Sequence, residues 1–416
     1  MPKPSSLLRL LAFVLMAPAT PAFAAVPDAP SPEAEVPTGG VPTLPRVIAL
    51  ARERAPLVAA AREDVAVGRA EQVGARLPPV TNPYLEVQVQ RGTLNVTKDV
   101  AMQATLFVPV EISGQRGRRM AEADALLGLR EAELETARAT AVGETVRAYG
   151  AAAVAGARVR TWQRLVGVAR DEADIYAARL AARDATEQDA TLARVELAKN
   201  SVVLAEARAD LTRALADVSR LTAVRFTEAP ASAEPPEPTR RPEPQRAPQV
   251  RAYESEADYH LRVRERQTRE AHSPLSLIVL AGRGDMGETR FGGGFGWTLP
   301  IARTGQGEAA RADASRLRAL ALRNVSARNI AAAVAGMTAE REQVRRALDE
   351  VTRTAEPAAR AAIDAAVATQ RAGKGDLLAV LTARRDLALL EARRLELTLR
   401  EWNIVSDIVT LTGELP

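Results

Sequence analysis

The sequence contains no cysteine and only two histidines among its 416 residues. Without cysteine the chain can form no disulfide bond, no thiolate metal site and no cysteine-linked lipid anchor at its N-terminus. The histidines, His260 and His272, lie twelve residues apart and do not share a helix face at the spacing that metal ligands need. We therefore expect neither a metal centre nor a cofactor.

Aromatic residues are also scarce, at 3% of the chain, although 47% of the residues are hydrophobic. Alanine supplies much of this apolar content, and a composition rich in Ala, Leu, Arg and Glu is typical of long helices and coiled coils. Lysine occurs four times, whereas arginine alternates with acidic residues in stretches such as REAELETAR (130–138). This alternation indicates solvated helix faces rather than a nucleic-acid surface. No Ser-His-Asp, paired-carboxylate or phosphate-loop pattern occurs, so the sequence does not predict an enzyme.

The N-terminus has the features of a secretory signal peptide over residues 1–24. An apolar run, LLAFVLMA (10–17), follows basic residues, and Ala22 and Ala24 fit a cleavage site. A Pro-rich leader is expected over residues 25–43. No later apolar run reaches about 18 residues, so no transmembrane helix is expected. The exported chain is then either soluble or part of a β-barrel, whose strands give a weaker sequence signal.

The chain contains an internal repeat. LFVPVEISGQRGRR (106–119) is echoed by WTLPIARTGQGE (297–308): each apolar run reaches a proline, and Gly-Gln begins five residues later. Pro109 and Pro300 lie 191 residues apart, and Leu-Thr pairs at 221–222 and 411–412 lie 190 apart. We interpret the chain as a tandem duplication with a first repeat at 44–228, a Pro-rich linker at 229–248 and a second repeat at 249–416.

Each repeat is predicted to contain a leading helix, two strands and a long helical hairpin. The predicted leading helices are 44–76 and 249–271, and the predicted strands are 84–91, 100–110, 274–282 and 290–301. The first long helix runs from about Arg118 to about Arg179 without proline, roughly 90 Å, and its return helix ends near Leu221. Apolar residues recur every seven positions on both return helices, which predicts coiled-coil packing: Leu197, Leu204, Leu211 and Val218, then Leu381, Ala388, Leu395, Trp402 and Val409.

Four strands are too few to close a transmembrane barrel, since the smallest barrels have about eight. A chain with four amphipathic strands must therefore oligomerise or leave strand edges unpaired. Three copies would supply twelve strands, and the long helices could likewise close only as a shared tube.

At these motifs the chain resembles the TolC-like outer-membrane efflux family, from about Leu44 to Gly413, and within it the CzcC-like heavy-metal branch. TNPYLEVQVQR (81–91) is similar to the first strand of that branch, and LFVPVEISGQRGRRMAEAD (106–124) to its strand-to-helix junction. AEPAARAAIDAAVATQRAGKGDLLAVLTARRDL (355–387) is similar to its second hairpin, including the proline inside a helix.

The resemblance implies a fold that is mainly α with a small β part. Duplicated units of two strands and a long helical hairpin would form a homotrimer, with a 12-stranded barrel in the outer membrane continued by a periplasmic α-helical barrel. It further implies a passive exit duct that docks to a periplasmic adaptor and an inner-membrane transporter and exports heavy-metal cations. Drugs, other solutes and type I secretion stay open as alternatives, and a periplasmic coiled-coil adaptor is a remote one.

The resemblance also assigns roles to the hairpin turns, AARLAARDAT (177–186) and ATQRAGKGDL (368–377). They are expected to form the periplasmic tip that meets the adaptor, although any helical hairpin needs helix-breaking residues at its turn. The residues concerned are Arg179, Leu180, Arg183 and Thr186 in the first hairpin, and Arg371, Gly373, Gly375 and Leu377 in the second. The first turn has Arg183 where a glycine is usual.

Two acidic residues near the turns, Asp189 and Asp376, are candidates for a cation-attracting constriction, because a trimer would place three copies of each around its axis. Solvated helix carboxylates would look the same in sequence. At the repeated motif, Pro109 with Gly114 and Pro300 with Gly305 are interpreted as junctions where a strand ends and a long helix begins. Proline is tolerated where strand pairing ends, and glycine permits the bend.

Overall fold

The computed structural model describes residues 38–77, 81–94, 97–236, 243–270, 275–284, 288–297, 304–372 and 377–414. The predicted signal peptide and most of the predicted leader, up to residue 37, lie outside these ranges. The elements in chain order are β1 (Thr38–Gly39), α1 (Leu44–Arg54), α2 (Pro56–Arg76), β2 (Tyr84–Leu94), β3 (Thr97–Val110), α3 (Gln115–Ala181), α4 (Glu187–Thr222), β4 (Arg225–Phe226), a 3₁₀ turn (Pro244–Arg246), α5 (Pro248–Glu270), β5 (Leu275–Arg283), β6 (Thr289–Gly296), α6 (Gln306–Glu350), a π-helical segment (Val351–Ala355), α7 (Glu356–Arg371) and α8 (Leu377–Thr412).

The first leading segment forms two helices, so the prediction of one helix over 44–76 is wrong. Helix α1 ends at Arg54 and α2 begins at Pro56, with Ala55 between them at ψ 139°. Proline has no N–H to donate and disfavours helical geometry in the residue before it, so Pro56 ends α1. At the first position of α2 the same proline is favourable.

Helix α3 has 67 residues and is roughly 100 Å long, close to the predicted extent of 118–179. It pairs with α4, which has 36 residues, as one antiparallel hairpin. Val159 and Val166 of α3 are buried against Leu204 and Ala207 of α4. The seven-residue spacing on α4 therefore identified positions that do face the neighbouring helix.

The second hairpin is interrupted where the first is continuous. Five residues of π-helix, Val351–Ala355, separate α6 from α7, and the N–H of Glu356 donates to the carbonyl of Val351, five residues back. Pro357, the second residue of α7, has no N–H, and its ring would crowd the carbonyl four residues earlier. The wider π-helical turn accommodates this proline within an otherwise continuous rod.

The larger sheet has the order β2-β3-β5-β6, and all of its pairs are antiparallel. Strand β3 joins the two halves of the chain, with Leu106 opposite Val279 and Pro109 opposite Ser276. Strand β6 ends at Gly296, short of the predicted 301, and residues 298–303 lie outside the described ranges. Strands β1 and β4 form a separate parallel pair.

The main core lies where α1, α3, α4 and α8 meet, around Trp402, which is 1% exposed. The indole Nε1 donates to the carbonyl of Ala233 at 2.7 Å. Arg341 donates to the carbonyl of Pro236 at 2.8 Å and to buried Glu401 at 3.0 Å. The first part of the linker is thus fastened to the helices. None of the helices described is both long enough and apolar enough to cross a lipid bilayer.

Candidate functional site

The first strand-to-helix junction is a left-handed turn at Gly114. Strand β3 ends at Val110, α3 begins at Gln115, and Gly114 caps the helix with φ +74° and ψ 19°. An L-residue with a Cβ pays a steric cost in this region, so glycine is the natural choice. Pro109 lies one residue before the end of β3, within the pairing to β5.

An ion pair closes the first junction. Arg119 donates to both carboxylate oxygens of Glu111, at 2.6 and 3.3 Å, and both side chains are nearly buried. Arg116 donates twice to the carbonyl of Arg76, at 3.1 and 2.8 Å. The end of α2, the end of β3 and the first turns of α3 are thereby held together. The sequence analysis did not single out Glu111 or Arg119, although their spacing in EISGQRGRR was visible.

The second junction has the same turn. Gly305 caps α6 with φ +71° and ψ 15°, nearly the values at Gly114. Pro300 lies outside the described residues. The repeated Gly-Gln motif therefore corresponds to a repeated backbone conformation, a left-handed glycine just before a long helix.

Replacing Gly114 with valine should destabilise the junction. A β-branched residue at φ +74° costs at least about 1–2 kcal/mol, so we expect a lower unfolding midpoint and less assembled protein. Thermal unfolding followed by circular dichroism measures this effect. Gly117→Val is the control, since Gly117 is helical with nothing within 4 Å of an added Cβ; equal midpoints for the two variants would argue against a constrained junction.

The four-stranded sheet has one continuous apolar face. Side chains alternate between faces along a strand, and directly paired residues share a face. The register therefore places on one side Leu85, Val87, Val89, Met102, Ala104, Leu106, Val108, Leu277, Val279, Ala281, Phe291 and Phe295; Arg283 and Thr289 lie on the same side at the end of the sheet away from the helices. This apolar face is solvent-exposed: Val87 is 50% exposed and Phe291 is 78% exposed. An exposed apolar area of this extent marks a surface that contacts lipid or another protein.

The opposite face of the sheet is polar on β2 and β3, where it carries Glu86, Gln88, Gln90, Gln103 and Thr105. On β5 and β6 it has Ile278 and Leu280 beside Gly292, Gly294 and Gly296.

Among the described strands, β2 and β6 each have a neighbour on one side only. Tyr84 lies on the same face as Glu86 and stacks on Phe107, with their ring centroids 4.5 Å apart. Tyr84 and Trp297 are both exposed.

The tip of the first hairpin turns at Arg183, which has φ +62°. The N–H of Asp184 donates to the carbonyl of Arg179 at 2.7 Å, and that of Arg183 to the carbonyl of Leu180 at 3.0 Å. This pair of bonds is a Schellman motif, in which the left-handed position is usually glycine. The Arg179 guanidinium donates to Asp184 Oδ2 at 3.0 Å and lies over the ring of Tyr176.

Replacing Arg183 with glycine should stabilise the tip. Glycine adopts the left-handed conformation without the steric cost of a Cβ, and we expect a gain of about 1 kcal/mol in the free energy of unfolding. Chemical denaturation measures the change. Arg183→Ala keeps a Cβ and serves as the control for loss of the charge; a gain as large in Arg183→Ala as in Arg183→Gly would show that charge, not backbone strain, is responsible.

Thr186 and Asp189 begin the return helix as a capping box. The Thr186 hydroxyl accepts from the N–H of Asp189 at 3.1 Å, and the Asp189 carboxylate accepts from the N–H of Thr186 at 3.3 Å and from its hydroxyl at 2.7 Å. Such a box satisfies two backbone donors that the helix leaves free. Asp189, a candidate for an acidic constriction, thus has a local role in starting α4.

The tips of the two hairpins contact each other. Leu377, the first residue of α8, is 3% exposed and lies in one apolar cluster with Tyr176, Ala190 and partly buried Leu180. Of the predicted tip residues, Arg183 and Thr186 are exposed, whereas Leu180 and Leu377 join the hairpins. Arg371 is the last residue of α7. Gly373, Gly375 and Asp376 lie outside the described residues.

Two polar contacts that the sequence analysis missed also link the hairpins. Gln370 of α7 donates to the Tyr176 hydroxyl at 2.6 Å, and Arg384 of α8 forms an ion pair with Glu172 of α3. Burial raises the pKa of Glu172 above the ordinary value of a glutamate, and Arg384 opposes that rise. Burial likewise raises the pKa of Tyr176. The internal repeat places Arg384 at the position equivalent to Arg194, but nothing in the sequence pointed to Glu172.

Within the described ranges, no group of three or more His, Cys, Asp or Glu side chains is arranged to hold a metal ion. No protein-family model matches the sequence, and no curated protein is similar to it in sequence.

Three solved structures that share the fold of this chain are outer membrane proteins. The CmeC outer membrane channel of Campylobacter jejuni has a TM-score of 0.70 at 15% identity, over 89% of this chain and 85% of that chain. The outer membrane protein VceC of Vibrio cholerae has a TM-score of 0.68 at 15% identity, over 89% of this chain and 97% of VceC. The open state of the MtrE outer membrane channel of Neisseria gonorrhoeae has a TM-score of 0.68 at 17% identity, over 89% of this chain and 89% of MtrE. The expected fold, mainly α with a small antiparallel sheet, is therefore confirmed, whereas the CzcC-like branch and the trimeric barrel stay predictions.

Proposed function

We propose that the chain is one protomer of an outer-membrane exit duct in a tripartite efflux system. Three copies would place their sheets side by side as a 12-stranded barrel in the outer membrane, and their long hairpins would continue as a helical barrel in the periplasm. Substrate would pass through the duct without chemical change. Export would depend on the predicted signal peptide, residues 1–24.

The observation that carries this proposal is the exposed apolar face of the sheet. In water such a face would be an aggregation hazard, but it suits the hydrocarbon core of a bilayer. Strand β3 has 14 residues and β2 has 11, enough for the roughly 9–11 residues that cross a bilayer. The single-sided pairing of β2 and β6 supports closure through neighbouring copies, because unpaired edges in lipid are costly.

The hairpin tips are the proposed contact with a periplasmic adaptor. Arg183 and Thr186 are exposed at the turn of the first hairpin, Arg371 ends α7, and Gly373 and Gly375 are assigned to the second turn from the sequence. A partner with acidic or hydroxyl side chains would suit Arg183. Leu180 and Leu377 would support this surface from within, since they contribute to the cluster that joins the hairpins.

For the substrate, the similarity to the CzcC-like branch favours heavy-metal cations. Asp376 and Asp189 would then attract cations at the periplasmic entrance. Drugs or other solutes are the second candidate. The polar face of the sheet favours them, since Gln88, Gln90 and Gln103 are neutral hydrogen-bonding groups.

The proposal is tested by purification and by a deletion strain. We expect the mature protein to fractionate with the outer membrane, to require detergent and to run as a trimer. A soluble periplasmic monomer would contradict the proposal and favour an adaptor or another coiled-coil protein. Increased sensitivity of the deletion strain to metal salts but not to drugs would support heavy-metal export, and the reverse would support the second candidate.

A further inference from the structure

Four helix ends meet just below the strands of the sheet. Helices α2 and α5 end there, and α3 and α6 begin there. Arg116 of α3 donates to the last carbonyl of α2, Arg118 of α3 pairs with Glu265 of α5, and Arg264 of α5 lies 3.8 Å from Asp313 of α6. The four helix ends therefore lie side by side at one level.

Each of these helix ends carries an exposed arginine that has no carboxylate partner in the part of the chain the structure describes. We name these four residues the arginine collar: Arg76 of α2, Arg116 of α3, Arg269 of α5 and Arg311 of α6. The Arg116 guanidinium donates to a backbone carbonyl, which leaves its charge uncompensated. The collar is thus a positive zone one helical turn or two below the sheet.

Most carboxylates at this level are already paired. Glu111 binds Arg119, Glu265 binds Arg118, and Glu122 and Glu270 both bind Arg266. The exposed acids without a basic partner among the described residues are Glu308, in the first turn of α6, and, one or two turns further from the sheet, Glu71 of α2 and Asp124 of α3. In the turn next to the sheet, Arg76, Arg116 and Arg269 stand against Glu308 alone, which leaves an excess of positive charge there.

Helix stability does not account for the collar as a whole. Arg76 and Arg269 stand in the last turns of their helices, where a cation is favourable. Arg116 stands in the first turn of α3, which has no acidic residue, and a cation is unfavourable there. Arg116 instead caps the last carbonyl of α2, and this contact with a neutral group leaves its charge available to an external anion.

The collar begins where the apolar face ends. Val110 and Leu275 are the residues of β3 and β5 nearest to the helices, and α3 starts five residues after Val110. A membrane surface has the same sequence of layers, hydrocarbon and then phosphate. We infer that the arginine collar binds the phosphate groups of anionic glycerophospholipids in the leaflet that faces the helices. This inference rests on the proposed function.

The test compares lipid binding by the intact, detergent-purified assembly and by variants. In the collar variant, Arg76, Arg116, Arg269 and Arg311 are all changed to Gln. The matched control changes Arg160, Arg170, Arg208 and Arg385 to Gln, four exposed arginines elsewhere on the helices that also lack a carboxylate partner among described residues. Binding of fluorescent phosphatidylglycerol and of fluorescent phosphatidylethanolamine is titrated at low salt.

We expect the assembly to prefer phosphatidylglycerol, and the collar variant to bind it at least about tenfold more weakly, since each arginine near an anionic surface contributes roughly fivefold. Rising salt should reduce the difference in phosphatidylglycerol affinity between the original protein and the collar variant. The control variant should bind phosphatidylglycerol as tightly as the original protein. Equal affinity in the collar variant, equal loss in the control, or displacement of the lipid by millimolar inorganic phosphate would overturn the inference. Trimer formation and conductance are measured in parallel. A trimer that conducts but does not prefer phosphatidylglycerol would refute only lipid binding by the collar. Absence of a trimer would refute the proposed function.

Discussion

Lysine at both Val87 and Val279 should reduce the amount of assembled protein in the outer membrane at least tenfold. Both residues lie on the apolar face, near the middle of β2 and β5. A lysine facing lipid at mid-depth costs roughly 2–4 kcal/mol, and two per protomer would be repeated in every copy. The measurement is the fraction of protein recovered as a detergent-resistant oligomer from outer-membrane preparations.

The control for this prediction lies on the other face of β2. Gln88 and Gln90 alternate with Val87 and Val89 along the strand, so Gln88→Lys/Gln90→Lys adds the same charge toward the proposed lumen. We expect near-normal assembly in that variant. If both double variants assembled equally well, or equally badly, the assignment of the two faces would be wrong.

Valine at Gly150 should be the most damaging single change in the helical part. A Cβ at this position would lie 2.6 Å from the Cβ of Trp402, which is 1% exposed and fixed by its hydrogen bond to Ala233. Neither helix α3 nor the indole can move without disturbing the main core. Overpacking of this kind costs about 3 kcal/mol, and we expect a large drop in the midpoint of chemical denaturation.

Gly167 provides the matched control on the same helix. It is exposed, and an added Cβ would have nothing within 4 Å. Gly167→Val should leave stability unchanged or raise it by a few tenths of a kcal/mol, since valine is a better helix former than glycine. An unchanged midpoint in Gly150→Val would mean that α3 and α8 do not approach as closely as described.

The long elements could be predicted from sequence because their signals are local and repeated. The absence of proline from 118–179, the seven-residue spacing on the return helices and the alternation in YLEVQVQR each report on neighbours in the chain. The sequence predicted only that Gly114 and Gly305 permit a bend between a strand and a helix, and the structure adds their left-handed conformation. The break between α1 and α2 at Pro56 is also a local effect that the sequence could have predicted, because proline disfavours a helical conformation in the residue before it.

Contacts between distant parts of the chain could not be predicted in this way. The Gln370–Tyr176 hydrogen bond spans 194 residues, and the Trp402–Ala233 bond spans 169. Neither pair has a spacing that favours it. The conformation of Arg183 was hidden for a different reason: in sequence, arginine gives no sign of a left-handed backbone, so the motif is visible only from its hydrogen bonds.

The most direct test of the membrane assignment is a single-cysteine scan of residues 85–90 in intact outer membranes. The chain has no cysteine of its own, so each introduced thiol is the sole target of a water-soluble maleimide. The alternating register of β2 predicts labelling at 86, 88 and 90, which face the lumen, and protection at 85, 87 and 89, which face lipid. Uniform labelling of all six positions would contradict a sheet with one face in the bilayer.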